Sequence, residues 1–218
     1  MKLFRKPALL LLTAFLLFSS PFYGQTPARP TSTPYSGDLS IFETPGREQR
    51  LQIQRVMDLL GVHAGSNVAD IGAGSGWFTV RAAARVGATG TVYAEDINPD
   101  AIDYIRKRAV KQKLGNIQAI LGTTEDPKLP PGSIDAVLML KAYHEVENPP
   151  ALLRNLKASL RPGAKVGILD HNGDGTDHGI MPSVVEHEMR QAGFRLIKNY
   201  DFPKDDTNQY FLLFEAAP

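Results

Sequence analysis

The sequence predicts an α/β fold, a mostly parallel β-sheet with helices on both faces, and three observations carry that expectation. From residue 47 to the C-terminus, short apolar runs of strand length alternate with longer segments of helical periodicity. The first of these strands runs into a glycine-rich turn that opens a helix. That order seats a small molecule over the carboxyl ends of parallel strands. The last two apolar runs are separated only by a short polar turn and read as a hairpin, so one antiparallel strand must join the sheet.

The elements follow in order. Leu51, Val56, Leu59 and Leu60 give one apolar helical face from Arg47 onward, stopped by Gly61. Asn67–Ile71 reads as a strand, Trp77 to Val86 as a helix and Thr91–Ala94 as the second strand. Asn98-Pro99 is an N-cap followed by proline in the first turn, opening a helix to about Lys113. Ile117–Leu121 and Ile134–Leu140 are the third and fourth strands. Asn148-Pro149 repeats the cap signal for a helix ending near Leu160. Arg161-Pro162-Gly163 reads as a turn before a fifth strand at Lys165–Asp170. A helix from Pro182 to Ala192 ends at Gly193, and Phe194–Phe202 and Gln209–Glu215 form the hairpin.

The N-terminus is different in kind. Lys2, Arg5 and Lys6 precede an apolar run from Ala8 to Phe18, the pattern of a secretory signal. The run is short for a bilayer-spanning helix. No clean small-x-small cleavage site precedes Gln25, so residues 1–24 are expected to be either an export signal or a retained membrane anchor. Residues 25–46, rich in Pro, Thr and Ser, read as a linker lying on or leading to a domain at 47–218. The domain is therefore expected outside the cytosol or held at a membrane.

Charge and composition narrow the chemistry. The formal net charge of the 218 residues is +1, and three cations belong to the first 24 residues, which leaves the remainder slightly acidic. A protein that neutralises phosphates needs a positive excess, so nucleic acid is excluded as the expected partner. The chain has no cysteine, which removes disulfides, thiolate metal sites and cysteine nucleophiles.

The chemistry begins at Val68-Ala69-Asp70-Ile71-Gly72-Ala73-Gly74-Ser75-Gly76-Trp77. Glycines at such a turn let a ligand approach the backbone. A dinucleotide fingerprint wants a small residue in the sixth place of G-x-G-x-x-G, where this chain has Trp77. A nicotinamide oxidoreductase is disfavoured on that ground and by the closing hairpin. Asp70, two residues before the first glycine, can face a cationic amino group but would be unhelpful beside pyrophosphate. Asp96 lies twenty residues beyond Gly76 at the end of the second strand, where a carboxylate accepts hydrogen bonds from ribose hydroxyls. Glu95 competes for that role, and the spacing to Asn98-Pro99 favours Asp96. The ligand implied is a ribonucleoside carrying positive charge rather than phosphates.

With these residues in place, the sequence resembles the class I S-adenosylmethionine (SAM)-dependent methyltransferases over about 170 residues. The first family motif resembles Val68 to Gly76, and the acidic ribose-binding position matches Asp96. The adenine segment resembles Gly122-Thr123-Thr124-Glu125-Asp126, with Thr123 where many relatives carry aspartate. Arg161-Pro162-Gly163-Ala164 and Gln191-Ala192-Gly193-Phe194 also fit the family's layout. The resemblance implies a Rossmann-like sheet of seven strands in the order 3-2-1-4-5-7-6, strand seven antiparallel. It implies SAM as cofactor, held by Asp70, Gly72, Ala73, Gly74, Gly76, Asp96, Thr123 and Thr124.

In that fold the end of the fourth strand faces the reacting methyl, and here it reads Leu140-Lys141-Ala142-Tyr143-His144-Glu145. The Asn-Pro-Pro-Tyr signature that grips a planar amino nitrogen is absent, as is the aspartate of the metal-dependent catechol type. Tyr143 and His144 are expected to line the acceptor site, with His144 as a base if the acceptor must lose a proton. The competing reading has His144 hydrogen-bonding a loop backbone. A second polar cluster comprises Asp170, His171, Asn172, Asp174, Asp177 and His178, with His187 and Glu188 further on. These are metal-ligand types, yet Gly173, Gly175 and Gly179 mark a flexible loop, read as part of a lid. No metal site is expected. The expected function is methyl transfer from SAM to a small or medium-sized acceptor, hydrophobic ones included. The alternative is an exported SAM-binding module on the same fold without turnover.

Overall fold

The computed structural model describes residues 29–202 and 208–217, so the basic and apolar N-terminal segment lies outside the described residues. The strands are β1 Asn67–Ile71, β2 Thr91–Asp96, β3 Ile117–Leu121, β4 Ile134–Leu140, β5 Leu160–His171, β6 Phe194–Tyr200 and β7 Gln209–Ala216. They form one sheet in the order β3-β2-β1-β4-β5-β7-β6. The first five run parallel, and β7 is antiparallel to both β5 and β6. The chain winds outward from β1 to β3, then returns to β4 on β1's other side. That reversal opens a crevice above the carboxyl ends of β1 and β4.

The helices are α1 Arg47–Leu51, α2 Ile53–Leu60, α3 Trp77–Val86, α4 Pro99–Gln112, α5 Pro149–Ser159 and α6 Pro182–Gln191. Side chains alternate across each strand, so the sheet builds two cores. Along β4, Val137 and Met139 pack with Leu153, Leu156, Val185 and Met189 of α5 and α6. Ala136, Leu138 and Leu140 turn the other way, into Val56, Leu60, Phe78, Ala82 and Val86 of α2 and α3. Burial of each large aliphatic or aromatic side chain stabilises the fold by about 1.5–3 kcal/mol. The two asparagine caps form as expected: Asn98 accepts from the Asp100 N–H at 2.9 Å and Asn148 from the Ala151 N–H at 3.3 Å.

Two elements differ from expectation. The helix expected from Arg47 to Leu60 is broken at Gln52, whose φ of 48° is left-handed. Leu51 and Ile53 are both fully buried. Residues two apart cannot share one face of a continuous helix, so the chain re-aims between them. The turn expected at Arg161-Pro162-Gly163 is instead a bulge within β5. Pairing jumps from Ile134–Leu160 to Ala136–Lys165, and Gly163 takes up the kink at φ 80°.

Candidate functional site

One cavity of about 410 Å³ opens over the carboxyl ends of β1, β2, β4 and β5, within the size range of small-molecule sites. At its β1–β2 end the loop after β1 carries Gly72, Gly74 and Gly76 at φ 69°, 54° and 71°, a region L side chains rarely adopt. The Ala73 N–H is held by the Glu95 carbonyl at 2.9 Å. The Gly74 N–H donates to Asp96 Oδ2 at 2.8 Å, while Asp96 Oδ1 accepts from the Asn98 N–H at 2.9 Å. Asp70, Gly72, Ala73, Gly74, Asp96, Thr123 and Thr124 all line the cavity, as expected from sequence. Gly76 does not. It precedes α3 with its missing Cβ only 3.1 Å from Ile105, so its smallness serves the packing of α3 against α4.

Three carboxylates crowd this end. Asp70 is 2% exposed and accepts from Thr79 Oγ1 at 2.5 Å. Burial, chiefly, pushes its pKa up to about 7 and that of Glu95 to about 8, and raises Asp96 as well. A ligand with cationic groups and hydroxyl donors compensates the buried charge, so the carboxylate set fits a positively charged ribonucleoside. Arg47, in α1, lines the same end with its guanidinium 4.5 Å from the Trp77 ring centroid, and Arg81 lies 3.9 Å from that centroid. Trp77 thus occupies the sixth place of the glycine motif as a platform for guanidinium groups.

At the β4–β5 end, β4 runs into Lys141, held at φ 55°, and then a single 3-10 turn, Tyr143–Glu145. His144, 3% exposed, gives its Nδ1–H to Asp170 Oδ1 at 2.8 Å, and its backbone N–H goes to Asp170 Oδ2 at 3.1 Å. The carboxylate fixes the tautomer and leaves Nε2 on the cavity side, 3.7 Å from Glu145 Oε1. Burial works against the charged imidazole, but the hydrogen bond and charge of Asp170 outweigh it and raise the pKa. The reading of His144 as a mere loop-backbone partner does not describe this arrangement.

Tyr143, expected to line the acceptor site, is a correction. Its side chain is fully buried in the α5–α6 core and its hydroxyl donates to Glu188 Oε2 at 2.8 Å. Arg29 closes that group, 3.1 Å from Glu188 and donating to the Tyr143 carbonyl at 2.7 Å. Neighbours on a 3-10 turn point in different directions, and the larger, more apolar ring takes the core. The polar cluster after β5 divides likewise. His171 and His178 line the cavity, and Glu188 serves the Tyr143–Arg29 group.

Sequence reasoning read residues 25–46 as a linker lying on or leading to the domain and did not assign them to the site. Pro34, Tyr35, Leu39 and Phe42 line the cavity from the Pro/Thr/Ser-rich segment. Ser32 receives the His178 N–H on its Oγ at 2.9 Å and passes its own N–H to the His144 carbonyl at 3.4 Å. Glu43 is bonded to Arg108 of α4 and accepts from Ser75 Oγ at 2.8 Å. The available signal was two aromatic residues, Tyr35 and Phe42, in a polar stretch without periodicity.

Comparison with known proteins agrees with this architecture. Residues 68–163 match the family model of the methyltransferase domain. Nocamycin O-methyltransferase from Saccharothrix syringae is 31% identical over 129 residues, covering 59% of this chain and 46% of that protein. The ubiquinone/menaquinone biosynthesis C-methyltransferase UbiE of Ectopseudomonas mendocina is 30% identical, covering 63% of this chain and 54% of the relative. The chain thus spans about half the length of these curated relatives. The crystal structure of a SAM-dependent methyltransferase from Aquifex aeolicus superposes with a TM-score of 0.73 at 23% identity, covering 82% of this chain and 98% of that one. Residues 68–163 are therefore similar to the methyltransferase domain, and the described chain shares the fold of that SAM-dependent methyltransferase structure.

Proposed function

We propose that the protein transfers the methyl group of SAM to a small or medium-sized acceptor bound at the β4–β5 end of the cavity. The observation that carries this reading is the cluster of buried Asp70 and Glu95 and half-buried Asp96 around a left-handed glycine loop, a set that calls for a cationic nucleoside. SAM would supply a methyl group already activated on a sulfonium.

The chain's own residues do the rest. Asp96 receives the ribose hydroxyls while its two backbone hydrogen bonds hold it in place. Asp70 balances the ammonium group, and Arg47 meets the carboxylate of the methionine moiety. Thr123 and Thr124 border the adenine. Methyl transfer is an in-line displacement, so the main demand is alignment and exclusion of water. The covering segment with Tyr35, Leu39 and Phe42 supports exclusion. His144, oriented by Asp170, docks the acceptor's nucleophilic atom and takes its proton where it has one to lose. Relatives named for nocamycin and for ubiquinone/menaquinone biosynthesis support a small-molecule acceptor.

The test is a transfer assay with the full-length chain, methyl-labelled SAM and a panel of small hydroxylated aromatic acceptors. Label on at least one acceptor, lost in His144→Ala while SAM binding persists, is the expected result. A folded chain that does not bind SAM overturns the reading.

A further inference from the structure

Three metal-competent side chains meet at the acceptor end from two distant stretches of sequence. His144 and Glu145 stand on the turn after β4, and His178 comes from the loop after β5. One ligand atom from each lies within 4.8 Å of the others. Nitrogen and oxygen ligands on a four-coordinate ion, each about 2.0–2.2 Å from it, stand roughly 3.3 Å apart. Small side-chain rotations therefore close the set.

The arrangement is supported from behind. Asp170 takes the Nδ1–H of His144 and leaves Nε2 as the ligand atom, the support that metal-binding histidines characteristically receive. His178 is held at φ 60°, an uncommon conformation for a residue with a side chain. Its N–H is pinned on Ser32 Oγ at 2.9 Å, and the loop behind it is closed by the Gly175 N–H on the Gly179 carbonyl at 2.8 Å. So placed, its ring stands edge-on to that of His144, with centroids 5.8 Å apart.

We infer that His144, Glu145 and His178 bind one divalent transition cation of the zinc class, with a fourth position open to the cavity. Two imidazoles and one carboxylate suit zinc, iron or nickel rather than magnesium or calcium. Three protein ligands with an open position are the pattern of a catalytic ion rather than a structural one. The role of the ion rests on the methyl-transfer reading. It would hold the acceptor's oxygen or nitrogen in the open position and ease loss of its proton to water, with His144 acting through the ion.

Chelator-treated full-length protein titrated calorimetrically with zinc, and with cobalt followed by visible absorption, tests the site. SAM is titrated into the same samples. One ion per chain is expected. His178→Ala and Glu145→Gln each weaken uptake at least tenfold, and the cobalt band is lost in His178→Ala. His178→Gln, which keeps a polar loop residue, shows the same loss, and circular dichroism unchanged in all three variants separates ligand loss from misfolding. No stoichiometric uptake by the unaltered chain, or uptake that these variants leave unchanged, overturns the inference. Zinc uptake that depends on His178 in a chain that fails to bind SAM removes the methyl-transfer reading and leaves the cation site standing.

Discussion

At the β1–β2 end of the cavity the backbone does much of the holding, whereas at the β4–β5 end side chains from distant segments do it. Gly74 and Asn98 offer N–H groups to Asp96, and Ala73 hangs on the Glu95 carbonyl, within thirty residues of one another. His144, by contrast, depends on Asp170 from the end of β5, and His178 on Ser32. The first end is a local structure that one strand, one turn and one helix can build. The second exists only once the sheet has closed and the N-terminal segment has docked. Cofactor binding and acceptor handling should therefore respond separately to substitution.

The largest separation is expected from His144→Ala. On its proposed role at the acceptor, direct or through a bound cation, its loss lowers turnover by about 10²–10⁴-fold, while SAM affinity, measured by calorimetry, stays within about twofold. Equal losses in both would show that the two ends act as one. Gly72→Ala attacks the seam between them. At φ 69° its new Cβ would lie 2.5 Å from the Cβ of Ala142, just before the His144 turn. Strain of this kind costs about 1–3 kcal/mol, to be read as a shift of the urea midpoint.

Arg108→Ala should release the cover rather than the domain. The Arg108–Glu43 pair is partly exposed, so its loss costs about 1 kcal/mol. The expected signature is faster proteolysis within residues 29–46 with the rest of the chain still protected. Resistance equal to that of the unaltered chain would mean that other contacts hold the segment.

The smallest effect is in pH. Asp70 and Glu95 are pushed up to about 7 and about 8, mainly by burial. The folded protein without ligand thus holds protons that the unfolded chain sheds near pH 4. Their contribution to stability is fully present below that pH and is lost as pH rises through about 7 to 8. A cationic ligand favours the ionised carboxylates, so SAM should bind several-fold more tightly at pH 8 than at pH 6 and release protons near pH 7. Titrations in buffers of different ionisation enthalpy measure that release directly. Proton uptake would contradict the assignment of the cationic group to this end.

The same contrast explains what could be read from the sequence. The alternation of strands and helices, the glycine loop, Asp70 and Asp96 were legible because their signals are local: apolar runs, glycines clustered after a strand and a fixed spacing to Asn98-Pro99, whereas the strand order followed from the family resemblance. Gly76 and Tyr143 were assigned to the site because proximity in sequence says nothing about direction, which packing against Ile105 and Glu188 decides. The pairing of His144 with Asp170 spans 26 residues and two strands, and His178 with Ser32 spans 146. No periodicity encodes contacts of that range. Pro34, Tyr35 and Phe42 were hidden for the same reason, since a segment that follows another surface has no repeat of its own.

The most direct test of the central claim is calorimetric titration of the full-length chain and of Asp96→Ala with SAM. One-to-one binding is predicted for the unaltered chain. In Asp96→Ala, the loss of charge-assisted bonds should cost about 1.5–3 kcal/mol, roughly ten- to 150-fold in affinity. No binding to the folded chain, or equal binding by the two proteins, would contradict the assignment of the β1–β2 end as the cofactor site.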